Sequence, residues 1–335
     1  MSSSAFDLIG VGNPIMDLLA QVPESFLTEN VSGDKGGMVL VDDAEIVRLV
    51  ARLERGLAIT PGGSAANATL GATRLGLRTT YLGKIGGDKT AADYRANFAA
   101  TGGDASRFKH ATLPNGRCLS LVTPDGQRTM RTHLGAAMTL SPEEISPVDF
   151  AGAKHAHIEG YLMFNPALAE KVVATARAAG CTLSIDLASF EVVNVARDWL
   201  FAQIKQGVQV IFANEDEIRA LFQDTNSGYD VLARKLAAHG GIAAVKMGRD
   251  GAWIARGNAL DRIAAVAVPH VVDTTGAGDA WAAGFLYGHL RGLSLPVAGA
   301  IGSLLGAETV QHLGPSIPEA HWPRLLQQVA VLGAR

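Results

Sequence analysis

From residue 155 onward the chain alternates apolar runs with amphipathic stretches, and this alternation constrains the fold more than any other feature. His157–Leu162, Thr182–Asp186, Val208–Ala213 and Ala243–Met247 read as strands, and Pro166–Ala179, Glu215–Phe222 and Asp230–His239 as helices. Strands and helices in alternation build a parallel sheet with helices on both faces. Phe6–Gly12 adds a first strand, expected at the centre of that sheet. Ligands of such sheets bind beyond the carboxyl ends of the strands. Here those ends carry Glu159, Asp186, Asn214, Glu217 and Lys246.

The N-terminal half has a different texture. Ile15–Val22 is apolar but interrupted by Asp17, a residue depleted in strands and costly among Met16, Leu18 and Leu19 unless paired. Asp17 either accepts hydrogen bonds from substrate hydroxyls or faces solvent. Residues 29–41 form a polar loop ending in a short strand, and 42–57 repeat apolar residues at helical spacing. Residues 117–134 alternate around Asp125-Gly126, a hairpin turn. Together, 29–41 and 112–135 predict a small sheet projecting as a lid, with the remainder an α/β core in one domain over residues 1–335. Arg128 and Arg131 on the hairpin could reach a phosphate or remain solvated charges.

Composition excludes several classes. At 335 residues and 48% hydrophobic the chain can bury a large core. Its net charge of −3 is spread out with no basic stripe, which argues against nucleic-acid binding. Cys118 and Cys181 suit two buried thiols in a reducing cytoplasm. No secretory leader is expected, and 293–310, which contains Pro296 and Glu308, predicts a core helix rather than a membrane span. His155 and His157 read as structural, and the histidines show no zinc spacing.

The chemistry concentrates at 271–280. Val271-Val272 reads as a strand end, Gly276 and Gly278 as a turn, and Ala277–Leu290 as a helix. Such a turn leaves the amides of Gly276, Ala277, Gly278 and Asp279 free, at the positive end of a helix, to hold an anion. Asp279 beside them either complements the helix dipole or takes a proton from a hydroxyl while the amides hold the phosphoryl group under attack. Pro61–Asn67 opens another helix through Gly62 and Gly63, for close packing or close approach to a ligand. Asn214 and Glu217, three residues apart, could share one helical face at an acidic helix start. No P-loop, dinucleotide fingerprint or protein-kinase motif competes.

Asp273–Asp279 closely resembles the C-terminal signature of the ribokinase-like (PfkB) family, and Gly62–Asp88 resembles its N-terminal signature. The two stand in the family's order, and the resemblance covers nearly the whole chain. It implies a three-layer α/β/α sandwich with a mainly parallel central sheet and a small β-sheet lid. It further implies ATP-dependent phosphoryl transfer with Mg²⁺, Asp279 as general base and Gly276, Ala277 and Gly278 as anion hole. By the same resemblance Asp17, Gly62, Gly63 and Asn67 contact the substrate, and Asn214 and Glu217 organise Mg²⁺ through water. Lys246, Gly248, Gly251, Thr275, Gly278 and Ala307 lie along the nucleotide, with Lys246 where many members carry Thr or Ser. Asp273 would help bind a monovalent cation such as K⁺. Within the family the chain looks most like adenosine kinases, from stretches such as 10–17, 125–136 and 159–162; Met130, Leu134 and Tyr161 then stand where a purine is sandwiched. The expected reaction is phosphorylation of the 5′-hydroxyl of a ribonucleoside, adenosine first, by a cytoplasmic monomer or homodimer without nucleic-acid or membrane partners. The alternatives are a free sugar (ribose, fructose or a keto-deoxy sugar acid) and a non-catalytic binding relative.

Overall fold

Two sheets organise the chain, which a computed structural model describes over residues 5–53 and 56–334. The strands are β1 (Phe6–Val11), β2 (Ile15–Gln21), β3 (Met38–Leu40), β4 (Ala58–Pro61), β5 (Thr79–Leu82), β6 (Lys84–Ile85), β7 (Lys109–His110), β8 (Gly116–Val122), β9 (Arg128–His133), β10 (Ala153–Glu159), β11 (Thr182–Asp186), β12 (Val210–Ala213), β13 (Ile242–Lys246), β14 (Ala252–Arg256) and β15 (Ala259–Ile263). The helices are α1 (Glu24–Asn30), α2 (Asp43–Val50), α3 (Ser64–Arg74), α4 (Lys89–Ala100), α5 (Pro166–Ala178), α6 (Phe190–Lys205), α7 (Glu215–Phe222), α8 (Tyr229–Ala238), α9 (Ala277–Leu290), α10 (Leu295–Thr309) and α11 (Trp322–Gly333).

The large sheet runs β15-β14-β13-β12-β11-β10-β1-β5. Its members from β13 to β5 are parallel, and β14 and β15 finish it antiparallel. Strand alternation sends successive side chains to opposite faces. Ile211, Ala213, Ala243 and Val245 therefore join α5–α8 in one core, while Val210, Phe212, Ile242 and Ala244 join α3, α9 and α10 in another. The result is helix, sheet, helix in three layers. On the second face α9 and α10 approach closely: a Cβ on Gly284 would come 2.8 Å from Gly302 Cα, so the small residues of both helices are a packing requirement.

The expected central position of the first strand is not found. The strands after residue 153 all add on one side, so β1 lies next to the edge strand β5. Val271-Val272 is also no strand; Val272 N donates to Val310 O outside either sheet, and Val271 is half exposed. Pro269 removes a ladder donor there, and Val271 walls a cavity instead. The helix expected over 42–57 ends at Val50, although Leu53 and Leu57 still pack against the core that contains Ile46 and Leu49.

The smaller sheet has the order β3-β9-β8-β2-β4. It contains the expected hairpin, here β8 and β9 around Gly126 at φ +78°, and also takes in β2 and β4. Leu18, Ala20, Leu119 and Leu121 cover its outer face with α1 and α2. Asp17, Cys118 and Met130 point the other way, across the cavity. His155 and His157 are buried structural residues, bonded to Thr182 and Ser184. Both cysteines are buried and unpaired. Among the described residues no helix is long and apolar enough to cross a membrane.

Candidate active site

The parallel register places the strand ends side by side. Val11 pairs with Ile158, Glu159 with Asp186, Asp186 with Phe212, and Ala213 with Val245. The polar residues at or just past those ends, Asn13, Glu159, Asp186, Asn214 and Lys246, therefore converge on one cavity of about 820 Å³ roofed by the smaller sheet. That volume suits small-molecule ligands.

At its floor α9 begins. Gly276 has φ +72°, and a Cβ there would sit 2.3 Å from Pro315 Cβ, so backbone strain and collision both require glycine. The amides of Gly276, Gly278 and Asp279 find no acceptor among the described residues, while Ala277 N donates to Thr274 O at 3.3 Å. Four free amides were expected; the turn closed by the Thr274 carbonyl takes one. The other three face the cavity at the positive end of a 14-residue helix.

Asp279 stands among them. Ser64 Oγ donates to its Oδ1 at 2.8 Å and Asn67 Nδ2 to its Oδ2 at 2.9 Å. The starts of α3 and α9 thus meet on one carboxylate. Burial pushes its pKa up, and the Asn67 hydrogen bond pulls against that shift. Lys246 Nζ is 2.8 Å from Asp186 Oδ2 and lies 3.3 Å from where a Cβ on Gly278 would be, beside the amides. Burial works against its charge, but Asp186 and Glu217 outweigh it and hold its pKa above the ordinary lysine value.

Across the cavity, Asp17 on β2 is 6% exposed and accepts no hydrogen bond among the described residues. Burial first, then the charge of Asp279, push its carboxyl to about 8, against the pull of Arg128. Gly62 does not line the cavity; it lies behind Asp17, and a Cβ there would be 2.2 Å from the carboxyl carbon. Gly63 and Asn67 do line it. Glu159 was legible only as a polar strand end. It accepts from Asn13 Nδ2 at 2.8 Å and Ala65 N at 3.2 Å, tying the β1–β2 turn to α3, and burial raises it to about 7.

Asn214 and Glu217 cap α7 reciprocally. Asn214 Oδ1 accepts from Glu217 N at 2.9 Å, and the Glu217 oxygens accept from Asn214 N and Nδ2, both at 2.7 Å. Both also line the cavity. Burial, followed by the nearby Asp186, raises Glu217 to about 8. Gly248, Gly251, Thr275 and Ala307 border a slot completed by Val266, Val268 and Val310. Asp273 is buried off the cavity wall, accepting from Thr275 N, Thr275 Oγ1 and Gly314 N at 2.9, 2.7 and 2.8 Å. It fastens the two loops that flank the anion turn.

Met130, Leu134 and Tyr161 gather at the other end, with Ile15, Met38, Leu40 and Phe164. The Tyr161 and Phe164 rings lie 6.3 Å apart at 25°. Arg128 also lines the cavity and donates to Thr274 Oγ1 at 3.3 Å, bridging hairpin and anion turn. Arg131 cannot reach a phosphate in the cavity: it is buried and donates to the Met130 and Ser32 carbonyls. Asn13, Ser64 and Phe164 were not anticipated. Ser64 sits inside the Gly62–Asn67 run, so that run held its signal; Phe164 is one apolar residue among many.

The arrangement offers an anion three free amides and a lysine, with a carboxylate beside them and a second carboxylate, unpartnered among the described residues, facing both. Comparison with known proteins agrees in fold and chemistry. A family model described as pfkB family carbohydrate kinase matches residues 38–322. The solved structure of adenosine kinase from Sinorhizobium meliloti is 32% identical with a TM-score of 0.88, covering 97% of this chain and 99% of that one. That of a probable sugar kinase from Rhizobium etli CFN 42 is also 32% identical, TM-score 0.87, covering 98% and 99%. Adenosine kinase of Saccharomyces cerevisiae is 27% identical over 93% of this chain and 96% of its own.

Proposed function

The chain belongs to the pfkB family of carbohydrate kinases and is an ATP-dependent phosphotransferase, and from that premise we propose that its acceptor is the 5′-hydroxyl of a ribonucleoside, adenosine first. The observation that carries this reading is the pairing of two ends in one cavity. One end has the unpartnered Asp17 carboxylate opposite Asp279; the other offers an apolar wall of Met130, Leu134, Tyr161 and Phe164. A ribose with vicinal hydroxyls satisfies Asp17, and a flat base stacks on the wall. A bare sugar leaves the wall wet.

In this reading the acceptor hydroxyl lies against Asp279, whose orientation Ser64 and Asn67 hold. Asp279 accepts the hydroxyl proton as the oxygen bonds to the γ-phosphorus, and the bond to the departing ADP oxygen breaks. The amides of Gly276, Gly278 and Asp279, with Lys246, stabilise the charge on the transferring group. Asn214, Lys246, Gly248, Gly251, Thr275 and Ala307 border the nucleotide. Glu217, a carboxylate with free lone pairs on the cavity wall, fits a hydrated Mg²⁺, which would neutralise the phosphates when bound. Closure of the smaller sheet, with Arg128 reaching Thr274, keeps water from the reaction. A monovalent cation near Asp273 is compatible with its place behind the anion turn, and K⁺ dependence of the rate tests it.

The likeness to a probable sugar kinase at the same identity favours a free sugar as second reading. An ADP-release assay against adenosine, guanosine, inosine, ribose and fructose separates the two. Adenosine is expected to be the best acceptor, and Asp279→Asn to lower kcat by at least ~10²-fold while the protein stays folded. A sugar active where every nucleoside is silent overturns the acceptor. No ADP from any acceptor, with binding retained, indicates a non-catalytic relative.

A further inference from the structure

The connection between the last two helices assembles ligand-type side chains that the sequence keeps apart. Glu308 is in the last turn of α10, His312 lies four residues on, just past the helix, and His321 ends the short turn Glu319–His321 that precedes α11. No zinc spacing is legible because the chain must fold back through 313–318 before His321 reaches the other two. In the fold, Glu308 Oε1 lies 3.3 Å from His312 Nε2 and 2.5 Å from His321 Nδ1. The three ligand atoms fall within 4.8 Å of one another, and the imidazole rings stand at 89° with centroids 4.7 Å apart. The Glu308 side chain is 5% exposed, those of His312 and His321 20% and 39%, so the cluster has a buried base and an open mouth.

We propose that Glu308, His312 and His321 bind a divalent transition ion of the zinc type, with water in the fourth position. Two imidazole nitrogens and one carboxylate oxygen suit Zn²⁺ and disfavour Mg²⁺, which prefers oxygen ligands in an octahedron. Tetrahedral bonds of about 2.0–2.1 Å separate neighbouring ligand atoms by roughly 3.3 Å. The Glu308–His312 edge already has that length. His321, the most exposed of the three and on a single turn, has to withdraw by less than about 1 Å to match it. Arg324 donates to the other Glu308 oxygen at 2.6 Å and fixes the carboxylate's orientation from outside the ligand set. Burial pushes the Glu308 carboxyl up, but the hydrogen bonds from Arg324, His321 and His312 outweigh it and keep the group below the ordinary carboxylate value.

The site lies directly behind the anion turn. Its neighbours Ala307 and Val310 wall the cavity, Gly314 N donates to Asp273, and Pro315 packs on Gly276. An ion there cross-links both ends of the segment that buttresses Gly276. The inference does not depend on which acceptor the enzyme uses.

The test uses the whole protein, stripped with a chelator and dialysed. Calorimetric titration with ZnCl₂ is expected to show one ion per chain, undiminished by an excess of Mg²⁺. Co²⁺ is expected to give the visible absorption of a four-coordinate site. His312→Gln and His321→Gln, checked for folding by circular dichroism, should each weaken Zn²⁺ binding by at least ~10-fold and abolish its effect on thermal unfolding. Either variant suffices if the other does not fold. No stoichiometric uptake by the unaltered protein, or uptake unchanged in a folded variant, overturns the proposal.

Discussion

Asp17 has a cost in the free protein that its proposed role explains, and Asp17→Asn measures it. The carboxyl is buried without a partner and titrates near 8 in the fold, against 3.8 for an ordinary aspartate. Its folded pKa is raised, so the fold favours the protonated form. The penalty is absent below about pH 4, grows as pH rises, and is complete above about pH 8. At pH 7 it is on the order of 4 kcal/mol, from about 1.4 kcal/mol per pH unit. Asparagine keeps the shape and removes the titration. A chain of 335 residues unfolds with an entropy near 0.7 kcal/mol/K, so the substitution should raise the midpoint by roughly 6 °C at pH 7 and about 2 °C at pH 5. The assay is scanning calorimetry on both ligand-free proteins at pH 5, 7 and 8. Acceptor should then stabilise the unaltered protein and fail to stabilise the variant, whose KM rises at least ~10-fold. A variant that melts no higher at any pH, or a gap that does not widen with pH, refutes the claim that this carboxylate waits unpaired for hydroxyl donors.

Three further outcomes follow from the same geometry. Gly276→Ala forces a side chain into a left-handed conformation costing roughly 1–2 kcal/mol and into Pro315, and should lower kcat about 10-fold or more with secondary structure intact by circular dichroism. Glu217→Gln should raise the Mg²⁺ concentration for half-maximal rate at least ~5-fold and leave the KM of the acceptor unchanged; an unaltered Mg²⁺ curve counts against Glu217 as the cation's partner. His157 is held neutral by burial, its pKa lowered from 6.5 to about 4. The unfolded chain therefore takes up a proton that the fold refuses, and stability falls by about 3 kcal/mol between pH 6.5 and 4. Urea unfolding of His157→Asn should lose that part of the acid slope; an identical slope would assign it elsewhere.

The parallel core was legible because each strand there is buried on both faces and each helix on one, so pattern and layer coincide. The same logic failed for Phe6–Val11, since position within a sheet depends on which side later strands are added, a long-range choice that no local pattern encodes. The glycine turn at Gly276 was legible, because a left-handed residue before a helix leaves a local mark. Val271 misled for the opposite reason: a β-branched residue suits a cavity wall as well as a strand. Ser64, Asn13 and Glu159 act through partners that lie 94 or more residues away, so their roles appear only when β1, β10 and α3 are brought together. Arg131 shows the converse, a charge that reads as exposed yet spends its donors on carbonyls inside the smaller sheet.

The cavity presents a further tension. Six carboxylates (Asp17, Glu159, Asp186, Glu215, Glu217 and Asp279) line it against three basic side chains, in a protein whose co-substrate is an anion. The resolution lies in where each charge sits. Asp186 is neutralised by Lys246, and Glu159 spends its acceptors on Asn13 and Ala65. Burial raises Asp17 and Glu217 to about 8, so these two shed part of their charge before any ligand arrives, and it raises Glu215 and Asp279 above their ordinary values. At the centre lies neutral backbone, three amides on a helix end, whose pull on an anion does not change with pH. An all-lysine site would bind ATP more tightly but would offer no base for the acceptor's proton. In the proposed mechanism, splitting attraction between amides and one lysine, and basicity among buried acids, would let anion and base share one cavity without cancelling each other.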